Sequence, residues 1–178
     1  MKIRDRVMER YPDDISTDRI VPTRLVTDVT PEKLAVIAMK DVDELFHEKL
    51  EKGKIMVAGR NFGYASSREY APLALKAAGV KAVIAESFAR IFFRNSINIG
   101  LPILECEEAG RIKVDDEVEI DLEKGEIVDI TQGFTLGFAP LPDFLLEWMT
   151  EGGMVAYLEK HGQENGPGTP AGKHAEDR

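Results

Sequence analysis

The sequence predicts an α/β domain, and three observations carry that reading. The apolar run Ile55–Ala58 is the length of a short buried strand and ends in a glycine-containing turn. Residues 73–78 are strong helix formers, and Gly79 follows them where a left-handed C-cap belongs. A second apolar run, residues 80–85, leads to Ser87, a candidate N-cap for another helix. The order is strand, loop, helix, strand, helix.

Before that block, residues 1–10 are charged and announce no element. Residues 13–22 read as a polar turn into a short strand. Thr30 and Pro31 form a helix start, with threonine as N-cap and proline at the first helical position. Residues 41–52 predict a helix with Val42, Leu45, Phe46 and Leu50 on one face and Gly53 as its stop. After the block, residues 107–111 turn, residues 114–122 alternate, and Glu123-Lys124-Gly125 returns the chain into residues 127–130 as a hairpin. Asp143 is a candidate N-cap for a helix over 144–150. Gly152-Gly153 breaks that helix before a last one over 154–161. Residues 162–178 are glycine, proline and polar residues without an apolar period, and predict a disordered tail after a domain spanning 1–161.

With 178 residues the chain suits one domain. No apolar run is long enough to span a membrane and no signal peptide opens the chain, so the cytoplasm is the expected location. The formal net charge is −9. Residues 59–104 nevertheless hold six basic residues (Arg60, Arg68, Lys76, Lys81, Arg90, Arg94) against two acidic ones, locally +4 in a chain whose remainder is −13. A basic island of this kind suits a small anionic ligand, since nucleic acid would be repelled by the rest. The one cysteine, Cys106, excludes an internal disulfide and reads as a small buried hydrophobe. The three histidines are too scattered to form a metal-ligand spacing. Phe88, Ile91 and Phe92 predict a core face of the helix after Ser87. Arg90, Arg94 and Asn98 predict a structural or interface face.

Ser66-Ser67 admits two readings. Ser66 is either a helix N-cap with Glu69 reaching back to it, or part of a turn ahead of a helix that begins nearer 68–70. Pro72 has no amide to give and favours the later start. In the second case the serines lie where free amides favour anions, and Arg68 can hold a carboxylate in a fork.

The motifs Asn61-Phe62-Gly63, Ser66-Ser67-Arg68-Glu69, Ala71-Pro72, Ser87-Phe88-Ala89-Arg90-Ile91-Phe92, Arg94-Asn95 and Gly100-Leu101-Pro102 resemble the 3-isopropylmalate dehydratase small subunits of the aconitase superfamily. The resemblance runs over residues 13–161. It implies the aconitase-type swivelling domain, a mixed β core, barrel-like or sandwich, with flanking helices. The implied activity is that of a hydro-lyase small subunit acting on a 2-hydroxy dicarboxylate, 3-isopropylmalate first, as in leucine biosynthesis. Relatives acting on homoaconitate or other alkylmalates, or a non-catalytic paralogue, are the alternatives. The implied partner is a large subunit that carries a [4Fe-4S] cluster, with no cofactor in this chain. Neither nucleic acid nor membrane is implied as a partner.

By the same resemblance Ser66 is the catalytic base and Arg68 the carboxylate-binding residue. Residues 24–27 form the loop that meets the variable part of the substrate, with Arg24 for a carboxylate, Leu25 and Val26 for an alkyl branch, and Thr27 beside them. Asn61, Tyr64 and Ser67 complete the candidate substrate contacts. The sequence departs from the family at Tyr64-Ala65, where Cys-Gly is usual, at Tyr70, where His is usual, and at Ser16, where Asp is usual. Ala65 is strained if that backbone needs a positive φ.

Overall fold

The computed structural model describes residues 1–162, so the predicted tail falls almost wholly outside the described residues. Seven strands form one sheet of order β4-β3-β2-β1-β5-β6-β7. They are β1 (Lys2–Tyr11), β2 (Ile55–Ala58), β3 (Ala82–Ala85), β4 (Ile103–Glu105), β5 (Glu117–Asp121), β6 (Glu126–Asp129) and β7 (Phe134–Gly137). The helices are α1 (Thr17–Ile20), α2 (Pro31–Ile37), α3 (Phe46–Lys52), α4 (Tyr70–Ala78), α5 (Arg90–Asn98), α6 (Asp143–Glu151) and α7 (Met154–His161).

The middle strand is β1, in the stretch from which no element was expected. Residues Lys2 to Arg6 pair antiparallel with β5, and Val7 to Tyr11 pair parallel with β2. At the handover Val7 faces Ile55 and Glu9 faces Met56, so Met8 is an extra residue in the strand. That bulge inverts the facing pattern. Ile3 and Val7 enter one apolar cluster, whereas Met8 and Tyr11 both enter the other. The phase change, together with the charged outer residues, hides the strand from a period-two reading.

Each side of the sheet has its own core. One cluster lies under the helices and includes Ile15, Leu34, Phe46, Met56, Leu75 and Phe92. In the other, Ile84 and Leu104 from the parallel end meet Ile127 and Leu136 from the antiparallel end, because the sheet curls into a half-barrel. This is the mixed α/β, barrel-like fold that the sequence predicts, with β7 added beyond the expected hairpin. Cys106 is buried in the second cluster, and burial pushes its thiol up from the ordinary value.

Helix ends differ locally from expectation. The predicted helix over 41–52 is regular only from Phe46, and Leu45 is exposed. Thr30 precedes α2 with Pro31 in the first turn, but its hydroxyl makes no capping bond. Ser87 does not cap α5, which starts at Arg90, and Asp143 is the first residue of α6 rather than its cap. Gly79 adopts φ 108° and ends α4 as predicted.

Candidate functional site

Strands β1, β2 and β3 run parallel and end together, and the chain leaving each of them builds the site. Ligand sites of α/β sheets favour this carboxyl end. Here the loop after β2 is laced to the segment after β1. Gly59 N donates to Tyr11 O (3.1 Å), Arg60 N to the Asp13 carboxylate (2.8 Å), and Asp14 N to Arg60 O (2.9 Å). Gly63 N donates to Ile15 O (2.7 Å), and Thr17 N to Tyr64 O (2.9 Å). On its other side the same loop meets the segment after β3. Asn61 N donates to Ser87 Oγ (2.8 Å), Phe62 N to Ser87 O (3.1 Å), and Ala89 N to Phe62 O (3.0 Å). Ser87 therefore anchors the site loop instead of capping a helix.

Two backbone positions shape the loop. Gly63 has φ 80°, and a Cβ there would lie 2.2 Å from Phe92 Cγ, so the loop rests on the aromatic core without room for a side chain. Ala65 has φ 88°, the left-handed conformation that costs an L-residue about 1 kcal/mol.

Ser66 follows that strained alanine. Its Oγ lies 3.0 Å from Thr17 Oγ1, and its amide donates to the same threonine oxygen at 3.3 Å. Helix α4 begins only at Tyr70, and no side chain caps it. The capping reading of Ser66 fails, and Pro72, in the first turn, loses no helical bond. Arg68 is largely buried, donates to the Asp18 carboxylate and to Thr23 Oγ1 (2.5 Å), and lies over the Tyr70 ring at 5.9 Å. The Thr23 hydroxyl and the Arg68 guanidinium hold Asp18 below the usual carboxylate range.

Of the residues predicted from sequence, Ser66 and Arg68 are thus brought to one place, with Ser67 between them. Ser67 is exposed, and its carbonyl accepts a bond from Asn95 Nδ2 (3.3 Å). Tyr64 is 38% exposed with its carbonyl engaged by Thr17. Asn61 spends its amide group on Asp14 (2.7 Å). Arg24 is exposed and donates to Asp41 (2.5 Å), beside a cleft of about 410 Å³ that Leu25, Lys40 and Glu44 also line. Val26 leans on the helix-side core, while Thr27 is exposed. The basic island is mostly spoken for. Arg60 pairs with Glu86, Lys81 with Asp5, and Lys76 donates to two backbone carbonyls. Arg90 and Arg94 are exposed on α5.

Sequence reasoning missed Thr17, Asp18 and Thr23 as site residues. All three lie in or beside the segment read as a polar turn, and their roles depend on contacts 45 to 50 residues away along the chain. The signal was in Ser16-Thr17-Asp18 itself, where the Ser16 side chain N-caps α1 (3.2 Å to Arg19 N) and Thr17 is buried.

A family model described as the aconitase C-terminal domain matches residues 19–109. The 3-isopropylmalate dehydratase small subunit of Moorella thermoacetica is 52% identical over 151 residues, covering 84% of this chain and 91% of that one. The small subunit from Methanosarcina acetivorans is 50% identical, covering 85% and 93%. Among solved structures, 3-isopropylmalate dehydratase from Methanocaldococcus jannaschii superposes with a TM-score of 0.84 at 42% identity, covering 92% of this chain and 97% of that one.

Proposed function

The chain belongs to the family of 3-isopropylmalate dehydratase small subunits, and from that membership we propose that it is the small-subunit half of a hydro-lyase acting on 3-isopropylmalate in leucine biosynthesis. The observation that carries the reading is the juxtaposition of Ser66 and Arg68 on one short loop at the ends of the parallel strands, in a chain about half identical to its relatives.

In this reading Arg68 binds a substrate carboxylate. Its Nη1 is committed to Asp18 and Thr23, which leaves Nε and Nη2 as donors for the carboxylate. Ser66 Oγ takes the proton from the carbon next to the carboxylate and returns it when water is added back. Leu25 and Val26 offer apolar surface for the alkyl branch, Arg24 and Thr27 border it, and Tyr64 limits its size. Asn61 and Ser67 shape the loop around the carboxylate. Arg24 is paired with Asp41, and the apolar surface of Leu25 and Val26 favours an alkyl-substituted dicarboxylate over a tricarboxylate.

The partner is the large subunit, and the [4Fe-4S] cluster belongs to it. Such a cluster takes about four thiolates, whereas this chain has one cysteine, buried beside β4. Among the described residues no group of three or more His, Cys, Asp or Glu could hold a metal ion, and no helix is long and apolar enough to cross a membrane. Residues 1–161 act as the swivelling domain, in the cytoplasm.

The test is to reconstitute the chain with a cluster-bearing large subunit and follow hydration and dehydration of 3-isopropylmalate, a smaller alkylmalate and homoaconitate. Turnover with 3-isopropylmalate ahead of the others supports the reading; an assembled complex that turns over none of them overturns it.

A further inference from the structure

The one hydroxyl that Ser66 Oγ meets belongs to Thr17, a buried side chain with 1% exposure at the first position of α1. A buried threonine hydroxyl needs a partner, and this one has two bonds, both to Ser66: the 3.3 Å bond accepted from its amide and the 3.0 Å contact with its Oγ. Once Thr17 Oγ1 accepts the Ser66 amide proton, its own proton is free to point at Ser66 Oγ.

The two residues are held very differently. Thr17 is fixed by its amide on Tyr64 O (2.9 Å), by its carbonyl on Val21 N (2.9 Å), and by β-branching that restricts χ1. Ser66 sits in irregular loop between a strained alanine and an exposed serine, where a lone hydroxymethyl group would sample three rotamers.

We propose that Thr17 is a positioning residue for the proton transfer: its hydroxyl selects one Ser66 rotamer and donates a hydrogen bond to Ser66 Oγ while that oxygen acts as base. The inference rests on the reading of Ser66 as base. Before the transfer Ser66 has given its own hydroxyl proton to solvent; as the alkoxide its Oγ takes the proton from the substrate carbon and becomes the neutral hydroxyl, and Thr17 keeps its own proton throughout. Donation to the charged form favours that form, so the threonine both aims the base and makes it available. Arg68 is held separately by Asp18 and Thr23, so substrate capture does not depend on Thr17.

The experiment compares Thr17→Val, Thr17→Ser and Ser66→Ala in the complex with the large subunit, with kcat, KM and melting temperature recorded for each. Thr17→Val keeps shape and loses the hydroxyl, and is expected to lower kcat about 10²-fold, as loss of one aimed donor does, with KM within about threefold. Thr17→Ser is expected to recover most of kcat. Should Thr17→Val fail to assemble, Thr17→Ala, which demands no packing, carries the same comparison. Unchanged kcat in Thr17→Val, or no recovery in Thr17→Ser, overturns the role of Thr17. High turnover in Ser66→Ala overturns instead the reading of Ser66 as base, so the two failures are told apart.

Discussion

Arg68 and Asp18 form an ion pair across fifty residues of sequence, and the Thr23 hydroxyl bonds to both of them. The pair ties the loop before α4 to α1 and to the start of the turn at Thr23–Leu25, so one guanidinium joins the loop proposed to hold the base to the segment proposed to read the substrate's branch. Replacing Arg68 by Lys keeps the charge and loses the planar fork. The expected result is a fall in kcat/KM of about 10- to 100-fold, the scale of one charge-assisted hydrogen bond. Asp18→Asn should raise KM more than it lowers kcat, because the arginine keeps its charge but loses its fixed angle. Steady-state kinetics of both variants in the assembled complex check this.

Ala65 is the second target. Its φ of 88° costs about 1 kcal/mol, and glycine would remove that strain. Glycine also gains freedom in the unfolded chain, so Ala65→Gly should raise stability by at most about 1 kcal/mol. Denaturant melts measure it; a destabilised Ala65→Gly would show that the lost methyl contacts and the added freedom of the unfolded chain together outweigh the strain.

Specificity should respond to Tyr64. Its exposed ring is larger than the cysteine usual in the family, so Tyr64→Cys enlarges the proposed pocket. Pocket changes of this size discriminate by about 1–3 kcal/mol. The expected outcome is a shift of the kcat/KM ratio toward substrates with a bulkier branch, read from paired assays on 3-isopropylmalate and a smaller alkylmalate. An unmoved ratio removes Tyr64 from the pocket.

The pH dependence of stability has one clear contributor away from the site. Asp129 is fully buried, and burial, with Asp116 beside it, raises its pKa. A raised carboxyl binds its proton more tightly in the native state than in the unfolded one. Its stabilising contribution is therefore complete below the unfolded value and is lost as pH rises through the folded one. Asp129→Asn keeps an acceptor for Gln132 N (2.7 Å) and can donate toward Asp116 as the protonated acid does. It should match or exceed the wild-type melting temperature at pH 7 and show a smaller loss between pH 4 and 7. Asp129→Ala strands the Gln132 amide and should cost about 1–3 kcal/mol. Melting curves across pH separate the three proteins.

The isolated chain should be colourless and bind no iron, and it should turn over no substrate until the large subunit is added, because one buried thiol cannot hold a cluster. Stoichiometric iron–sulfur absorbance in the purified chain would refute this.

What the sequence made legible follows from how local each signal is. Strands β2 and β3, Gly79 as a C-cap, and α7 are written in contiguous runs, and the structure has them within a residue or two. Ser66 and Arg68 could be placed together from sequence because both lie in one motif. Thr17, Asp18 and Thr23 could not, since a turn residue's purpose depends on what folds against it. Strand β1 was lost to its bulge, after which Tyr11 falls on the face of Met8 instead of that of Val7 and the alternation breaks. Ser87 was misread because a serine oxygen accepts as readily from a passing loop amide as from a helix.

The double pairing of β1 sets an order of events during synthesis. Its second half can find β2 once residue 58 has left the ribosome, whereas its first half must wait for β5, more than a hundred residues after it. Translation at about 5–20 residues per second makes that a wait of several seconds. Throughout it residues 2–6 carry unpaired amides and an unburied Ile3. The strand at the centre of the sheet is made before the other six and is among the last to be fully paired. Shortening β1 from its Lys2 end should therefore lower the yield of folded chain more than it disturbs the finished site.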